Sequence, residues 1–317
     1  MKKRIILLAL TLACAPLAGC MSSSAPVAPA IPALPEGLTL DEAGVPQLKV
    51  YSLSEETHVQ MDAETYIAGV LAGEMRNDWP EEALKAQAIL ARTFVMNFIA
   101  TKDSMYEGAD ISTDVTEAQA YAPKLVNARV QAAVDETRGK VVSYRGQLAN
   151  TWFHAHSGGA TETATVGLDY RENPPYIQSV PSEESEDAPE EVKRWTAAFS
   201  KDDVRRAARE TGADVGEIET VRVGETGASG RADTLIIDGQ PVKAANFRVR
   251  IGADKLKSVM LTDIRVSDET VTFEGRGYGH GVGMSQWGAY AMAKNGANAE
   301  EIISHYFKDV DVVKIWD

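Results

Sequence analysis

The chain is 317 residues long and carries a formal net charge of −14, with 46 acidic side chains against 32 basic ones. That balance excludes a non-specific nucleic-acid binder, which needs a basic surface. The length and the 44% apolar content allow a buried core without staples, and the only two cysteines, Cys14 and Cys20, leave the rest of the chain no disulfide and no thiolate ligand.

Lys2, Lys3 and Arg4 precede an apolar run from Ile5 to Leu12, the pattern of an export signal. The run is too short to span a bilayer comfortably. Leu17-Ala18-Gly19-Cys20 resembles a bacterial lipobox. It predicts cleavage before Cys20 and acylation of that thiol, which tethers the mature chain to a membrane. Residues 1–20 are thus read as a lipoprotein signal peptide, and an ordinary signal peptide or a short membrane anchor is the alternative. Residues 21–46, rich in Ser, Ala and Pro as far as Pro35, read as a linker, and residues 47–317 as the folded domain. Met21 after the cysteine, with no Asp there, is compatible with outer-membrane sorting in a Gram-negative cell.

Leu48 to Leu53 alternates and reads as a first strand, and Asp62 to Leu71 as a helix leading into a Gly73-Glu74 turn. Asp78-Trp79-Pro80-Glu81 predicts the start of a second helix running to about Thr101, with Asp78 as cap, Pro80 in the first turn and an acid three residues after the cap. Lys140 to Tyr144, an Arg145-Gly146 turn and Leu148 to His156 read as a hairpin. The acidic run Glu183 to Glu191 reads as a solvated loop whose spacing matches no calcium loop. Asp202 to Thr211 predicts a short helix, and Ile218 to Val223 and Thr234 to Ile237 strands, the latter ending on an Asp238-Gly239 turn. Phe247 to Ile251 fits a strand or the start of a helix; Met260 to Val266 and Thr270 to Glu274 fit a hairpin. Ser285 to Lys294 and Ala299 to Phe307 close the chain as two helices separated at Gly296. Together these predict an α+β domain of helices and antiparallel hairpins around a cleft, with a lobe inserted over about Tyr176 to Ala253.

Three groups of residues carry candidate chemistry. In Gly275-Arg276-Gly277-Tyr278-Gly279-His280-Gly281-Val282-Gly283-Met284-Ser285-Gln286-Trp287-Gly288-Ala289, glycines alternate with larger residues, a pattern that implies close approach by a ligand or another backbone. Ser285 can cap the next helix, and Tyr278, His280, Ser285, Gln286 and Trp287 suit a hydroxylated, flat-faced ligand such as a sugar. Trp287 serves equally well as a core anchor. Glu74 stands among Leu71, Met75 and Trp79, and a carboxyl among apolar groups keeps its proton to higher pH, as a general acid needs; a capping or ion-paired glutamate is the alternative. Lys85 and Arg92, two turns apart on the second helix, present their stems to one face and converge on a groove or stay solvated. His154 and His156 share one face of a strand and can begin a zinc site, with His280, Glu162 or Asp169 as a third ligand that no spacing demands; the other reading places them beside a tight turn at Ser157-Gly158-Gly159.

The Gly275–Ala289 motif is similar to the C-terminal motif of the SpoIID/LytB-domain family. Ala72-Gly73-Glu74-Met75, Trp79-Pro80, Glu82 to Ala88 and Ala91-Arg92-Thr93-Phe94 resemble that family's N-terminal motif, and Phe153 through Ser157-Gly158-Gly159 to Thr161-Glu162 its central segment. The three motifs stand in the family's order across roughly residues 48 to 313. The resemblance implies a peptidoglycan lytic transglycosylase with Glu74 as its catalytic residue. It also implies that Lys85 and Arg92 hold glycan or stabilise developing charge, that the cleft binds glycan stripped of stem peptides, and that an amidase is the functional partner. Some relatives bind zinc near the central segment through His and Cys; this chain has no cysteine there, so no cofactor is expected. The same family contains amidase enhancers, which implies a non-catalytic glycan-binding module as the alternative. An exported, lipid-anchored protein facing the cell wall, without nucleic-acid partners, is the cellular setting these readings imply.

Overall fold

A computed structural model describes residues 29–317; the export signal, Cys20 and the first part of the linker lie outside the described residues. From Ala30 onward the expected linker is already docked. Ala30 accepts a hydrogen bond from the Ser143 hydroxyl, Leu34 packs on the core, and Thr39–Leu40 pairs with the strand Pro46–Ser52.

Pro46–Ser52 pairs antiparallel with Thr57–Asp62 and parallel with the short Ile111–Ser112. Asp62 then caps helix α1, Ala63–Glu74, its carboxylate accepting from the Thr65 N–H. Helix α2, Glu81–Thr101, is the axis of the domain. It packs against α1, against helix α3 (Ala128–Glu136), against the strand Lys140–Tyr144 and against the two closing helices Gln286–Lys294 and Ala299–Tyr306. Ala83, Ala86, Ala88 and Ala91 are all fully buried, and their small side chains admit five neighbours around one helix. The expected cap is corrected: α2 starts with Pro80 as the flanking residue, and Asp78 pairs with Arg76 across the preceding turn. Pro80 brings its own extended conformation to that position and its carbonyl accepts from Ala83 and Leu84, so no side-chain cap is needed.

The hairpin expected through His156 is shorter than the sequence pattern implied. Lys140–Tyr144 turns through Arg145-Gly146 into Gln147–Leu148 only, and its other edge takes the C-terminal strand Asp311–Lys314. The chain beyond leaves that sheet, and Phe153–His154 pairs parallel with Met284–Ser285.

A second apolar core is built between Trp195 and Phe273, further along the chain than the segment 176 to 253. One sheet joins Leu261–Val266, Thr270–Gly275 and Trp195–Ser200; another joins Gln240–Lys243, Thr234–Ile237 and Val221–Val223. Helices Lys201–Glu210 and Ala244–Ile251 pack between them, so the Phe247–Ile251 stretch is helical. Buried Arg231 ties this lobe to the rest, donating to the Ser157 and Ala160 carbonyls, while Ser229 donates twice to buried Glu162.

The Gly-rich motif lies between the two cores. Gly277, Gly279, Gly281 and Gly283 all have φ between +70° and +109°. A Cβ on them would meet, in order, the His156 carbonyl at 2.8 Å, the His154 Cβ at 2.7 Å, the Arg231 guanidinium at 2.3 Å and the Trp152 carbonyl at 2.0 Å. The close approach read from the sequence is therefore by another stretch of backbone, residues 152 to 158, and by one buried side chain. Gly279→Ala is expected to cost about 1–3 kcal/mol by overpacking, with left-handed strain added. Chemical denaturation of the variant checks this, and an unchanged midpoint would mean the motif is loosely packed.

Candidate active site

Glu74 is the last residue of α1, where the helix carbonyls face outward and disfavour a negative charge. The segment from Gln119 to Tyr121 crosses this helix end so closely that a Cβ on Gly73 would stand 2.8 Å from the Ala120 carbonyl. That approach delivers the Ala120 N–H to the Glu74 carboxyl at 2.7 Å. From the far end of the chain, Ser285 caps the helix Gln286–Lys294 by accepting from the Gly288 N–H. The first turn so fixed sends the Gln286 amide to the Glu74 backbone carbonyl at 3.1 Å and to Gln87 Oε1 at 3.4 Å.

The result is a glutamate seated on two sequence-distant supports. Burial raises its pKa above the ordinary glutamate value, and the Ala120 N–H and the Gln286 amide pull part of that rise back. The carboxyl opens on a cleft of about 560 Å³ lined by Gly73, Met75, Arg76, Asn77, Asp78, Leu125 and Asn127. Gly73→Ala is expected to push Ala120 off the carboxyl and raise the Glu74 pKa further. A carboxyl NMR titration of Glu74 reads the shift, and a lower value would refute the role given to Ala120.

Of the residues singled out from the sequence, Glu74 and Gln286 are brought together, and the others serve the frame. Arg92 does not reach a groove. It is fully buried against Glu64, with Nη2 at 2.5 Å and Nε at 3.2 Å, because the helical face it shares with Lys85 turns into the core by the second turn. Lys85 sits in a separate hollow, held by Glu81, Glu82 and Glu136 at 2.5–3.0 Å. Burial lowers its pKa, but the three carboxylates outweigh that and raise it.

Ser157 and Ser285 both donate to Glu184, which with His156 at 4.0 Å makes a buried clamp. Glu184 therefore corrects the reading of residues 183 to 191 as solvated throughout: its side chain is 9% exposed. Trp287 packs at a tilt against Trp79 and Tyr290, ring centroids 4.5 and 5.2 Å away, as a core anchor. Tyr278 pairs its backbone with His156 and lies under the Lys257 ammonium. His280 accepts from the Val282 N–H, and its pKa is pushed down to about 3 by burial and by Arg248 and Arg231. His154, also buried, donates to the Val282 carbonyl and is held neutral by burial and the neighbouring His280 and Arg231.

His154 and His156 thus bind backbone, not each other's ligand sphere, and among the described residues no three His, Cys, Asp or Glu side chains are arranged to hold a metal ion. Gln119 and Gln87 are both buried near Glu74 in the fold; the sequence pattern gives Gln119 no mark, and it places Gln87 inside the Glu82 to Ala88 motif without a role. A lone glutamine inside an alanine-rich apolar helix, as Gln87 is, was the available signal.

A family model described as stage II sporulation protein (SpoIID) matches residues 52–144, the segment that holds Glu74 and Ala120. A second model, for a domain of unknown function, matches residues 172–283. An uncharacterized protein of Brachyspira hyodysenteriae is 34% identical over 80% of this chain and 67% of its own length. The stage II sporulation protein D of Bacillus amyloliquefaciens is 30% identical over 86% of this chain and 80% of its own. An amidase enhancer of Bacillus subtilis is 27% identical over 76% of this chain but only 39% of its own length. The chain belongs to the SpoIID family.

Proposed function

We propose that the protein remodels the cell wall as a peptidoglycan lytic transglycosylase acting on strands stripped of stem peptides. The carrying observation is Glu74: one carboxyl, held protonated to higher pH by burial, aimed into a cleft and supported by a backbone N–H. The protonated Glu74 donates to the oxygen leaving from the muramyl C1, and the glycosidic bond breaks. The resulting carboxylate takes the proton from the muramyl C6 hydroxyl as that oxygen bonds to C1, closing an anhydro ring. The proton given is the proton regained, so neither water nor the second carboxylate of an ordinary glycosidase is needed. Work beside an amidase at the wall is part of this proposal, and the names of a sporulation relative and of an amidase enhancer relative support it. Acylation of Cys20 would hold the domain at the membrane, and no described helix is long and apolar enough to cross it.

The test is mass spectrometry of products from amidase-stripped peptidoglycan incubated with the unlipidated chain. Anhydromuramyl ends support the reading, and reducing ends would make the protein a hydrolase. Sedimentation with the glycan but no cleavage would make it a binding module of the enhancer kind.

A further inference from the structure

The lobe carries a second cavity, of about 560 Å³, lined by Arg194, Trp195, Thr196, Thr262, Glu274 and Arg276. It sits where the sheet of Trp195–Ser200, Thr270–Gly275 and Leu261–Val266 ends. The ladder pairs Glu274 with Thr196 and Gly275 with Trp195, and Arg276 and Arg194 are the residues that flank this last pair on the two strands. Both arginines are exposed and on the outward side of that sheet, with Thr196 and Glu274. A register irregularity between Leu261 and Asp263 leaves Thr262 out of the ladder at the same end, and such bulges re-aim side chains beside binding sites.

Like charges gathered at one cavity are unfavourable unless something offsets them. Here both arginines line one cavity in a chain with 46 acidic residues, yet among the described residues neither guanidinium has a carboxylate within ion-pair distance. The one carboxylate lining the cavity, Glu274, is bound to Arg265, which also holds Asp263. The neighbouring Lys193 is bound to Glu186 and Glu190, so the acidic run beside the cavity has its own cation. Two guanidinium groups without an ion-pair partner, on residues lining one open cavity, supply the donors that an anion with two oxygens accepts in a fork geometry.

We propose that Arg194 and Arg276 form an anion subsite on the lobe that receives the lactyl carboxylate of a muramyl residue, freed when its stem peptide is removed. The inference rests on the glycan-strand reading of the Glu74 cleft and adds how a stripped strand is told from a peptide-bearing one. An amide-linked peptide leaves no carboxylate at that position, so the subsite rewards only the stripped strand.

The test measures binding by the full chain carrying Glu74→Gln, which holds the strand without cleaving it. The probes are soluble peptide-free glycan strands and the same strands with their lactyl carboxyls converted to methylamides. The free-carboxylate strand is expected to bind at least about tenfold tighter, the scale of a pair of charge-assisted contacts, with the advantage shrinking in salt. Arg194→Gln/Arg276→Gln, at two exposed positions, should erase the difference while leaving the melting temperature unchanged. Equal binding of both strands, or a difference that survives the double substitution, overturns the proposal. Binding of neither strand overturns it too. Failure of the transglycosylase reading is seen separately, as absence of anhydromuramyl products from the chain with Glu74 intact, and charge-dependent binding found alongside that absence would still support the subsite.

Discussion

Glu74→Gln is expected to lower the rate of anhydromuramyl product formation by about 100- to 10,000-fold, the span that one positioned acid/base group contributes. Glutamine keeps the shape and can still accept from the Ala120 N–H, so the cleft should persist and strand binding with it. The same variant should be more stable than the parent near neutral pH. Burial raises the Glu74 pKa in the fold, so between the unfolded value near 4.5 and the higher folded value the native state holds the extra proton. Stability contributed by this group is complete below the unfolded value and is lost as pH rises through the folded one. Glutamine has no charge to bury, and its advantage in thermal melting should therefore be greatest above that window and close as the pH falls below about 4.5. Loss of activity with a lowered melting temperature at neutral pH would mean that the substitution breaks the fold, and that the carboxyl is structural. The alkaline limb of the rate profile should follow the same group, with activity falling as the pH rises past the point where Glu74 ionises before it can donate.

Reading the sequence alone locates Glu74 but not its surroundings. The apolar neighbours that mark it are local, whereas the Ala120 N–H and Gln286 amide come from 46 and 212 residues away. Nothing in the 119–121 segment resembles a motif; Gly73 is the trace it leaves, since any Cβ there would block the approach. The Gly-rich motif is legible as a close approach, here by residues 152 to 158 and Arg231, because glycine spacing reports how near something comes and not what it is. His280, Ser285 and Ser157 have the chemistry of binding residues, yet each already bonds backbone or Glu184. Helix periodicity identified α2 but placed Arg92 wrongly, since two turns on a helix wrapped by neighbours lead from surface to core. Helix α3 went unread: its nine residues present only Val130, Ala133 and Val134 to the interior, too few for a clear period.

Arg92→Met should therefore act on stability and not on glycan affinity. Glu64 accepts from the Arg92 Nε and Nη2, from the Gly139 N–H and from the Trp316 indole N–H, and both partners of the ion pair are removed from water. Methionine fills much of the volume but leaves the carboxylate buried without its cation, and breaking such a pair costs about 3–5 kcal/mol. For a chain of this size that corresponds to a fall in melting temperature on the order of 10 °C. A second change, Glu64→Gln, removes the stranded charge while keeping an acceptor for Gly139 and Trp316, so the double variant should recover part of the loss even though it lacks both ions. A residue that held substrate would behave in the opposite way: Arg92→Met would melt like the parent, bind stripped strands more weakly, and gain nothing from Glu64→Gln. The cycle thus separates an arginine that anchors the C-terminal Trp316 to the helix carrying Glu74 from one that touches the glycan.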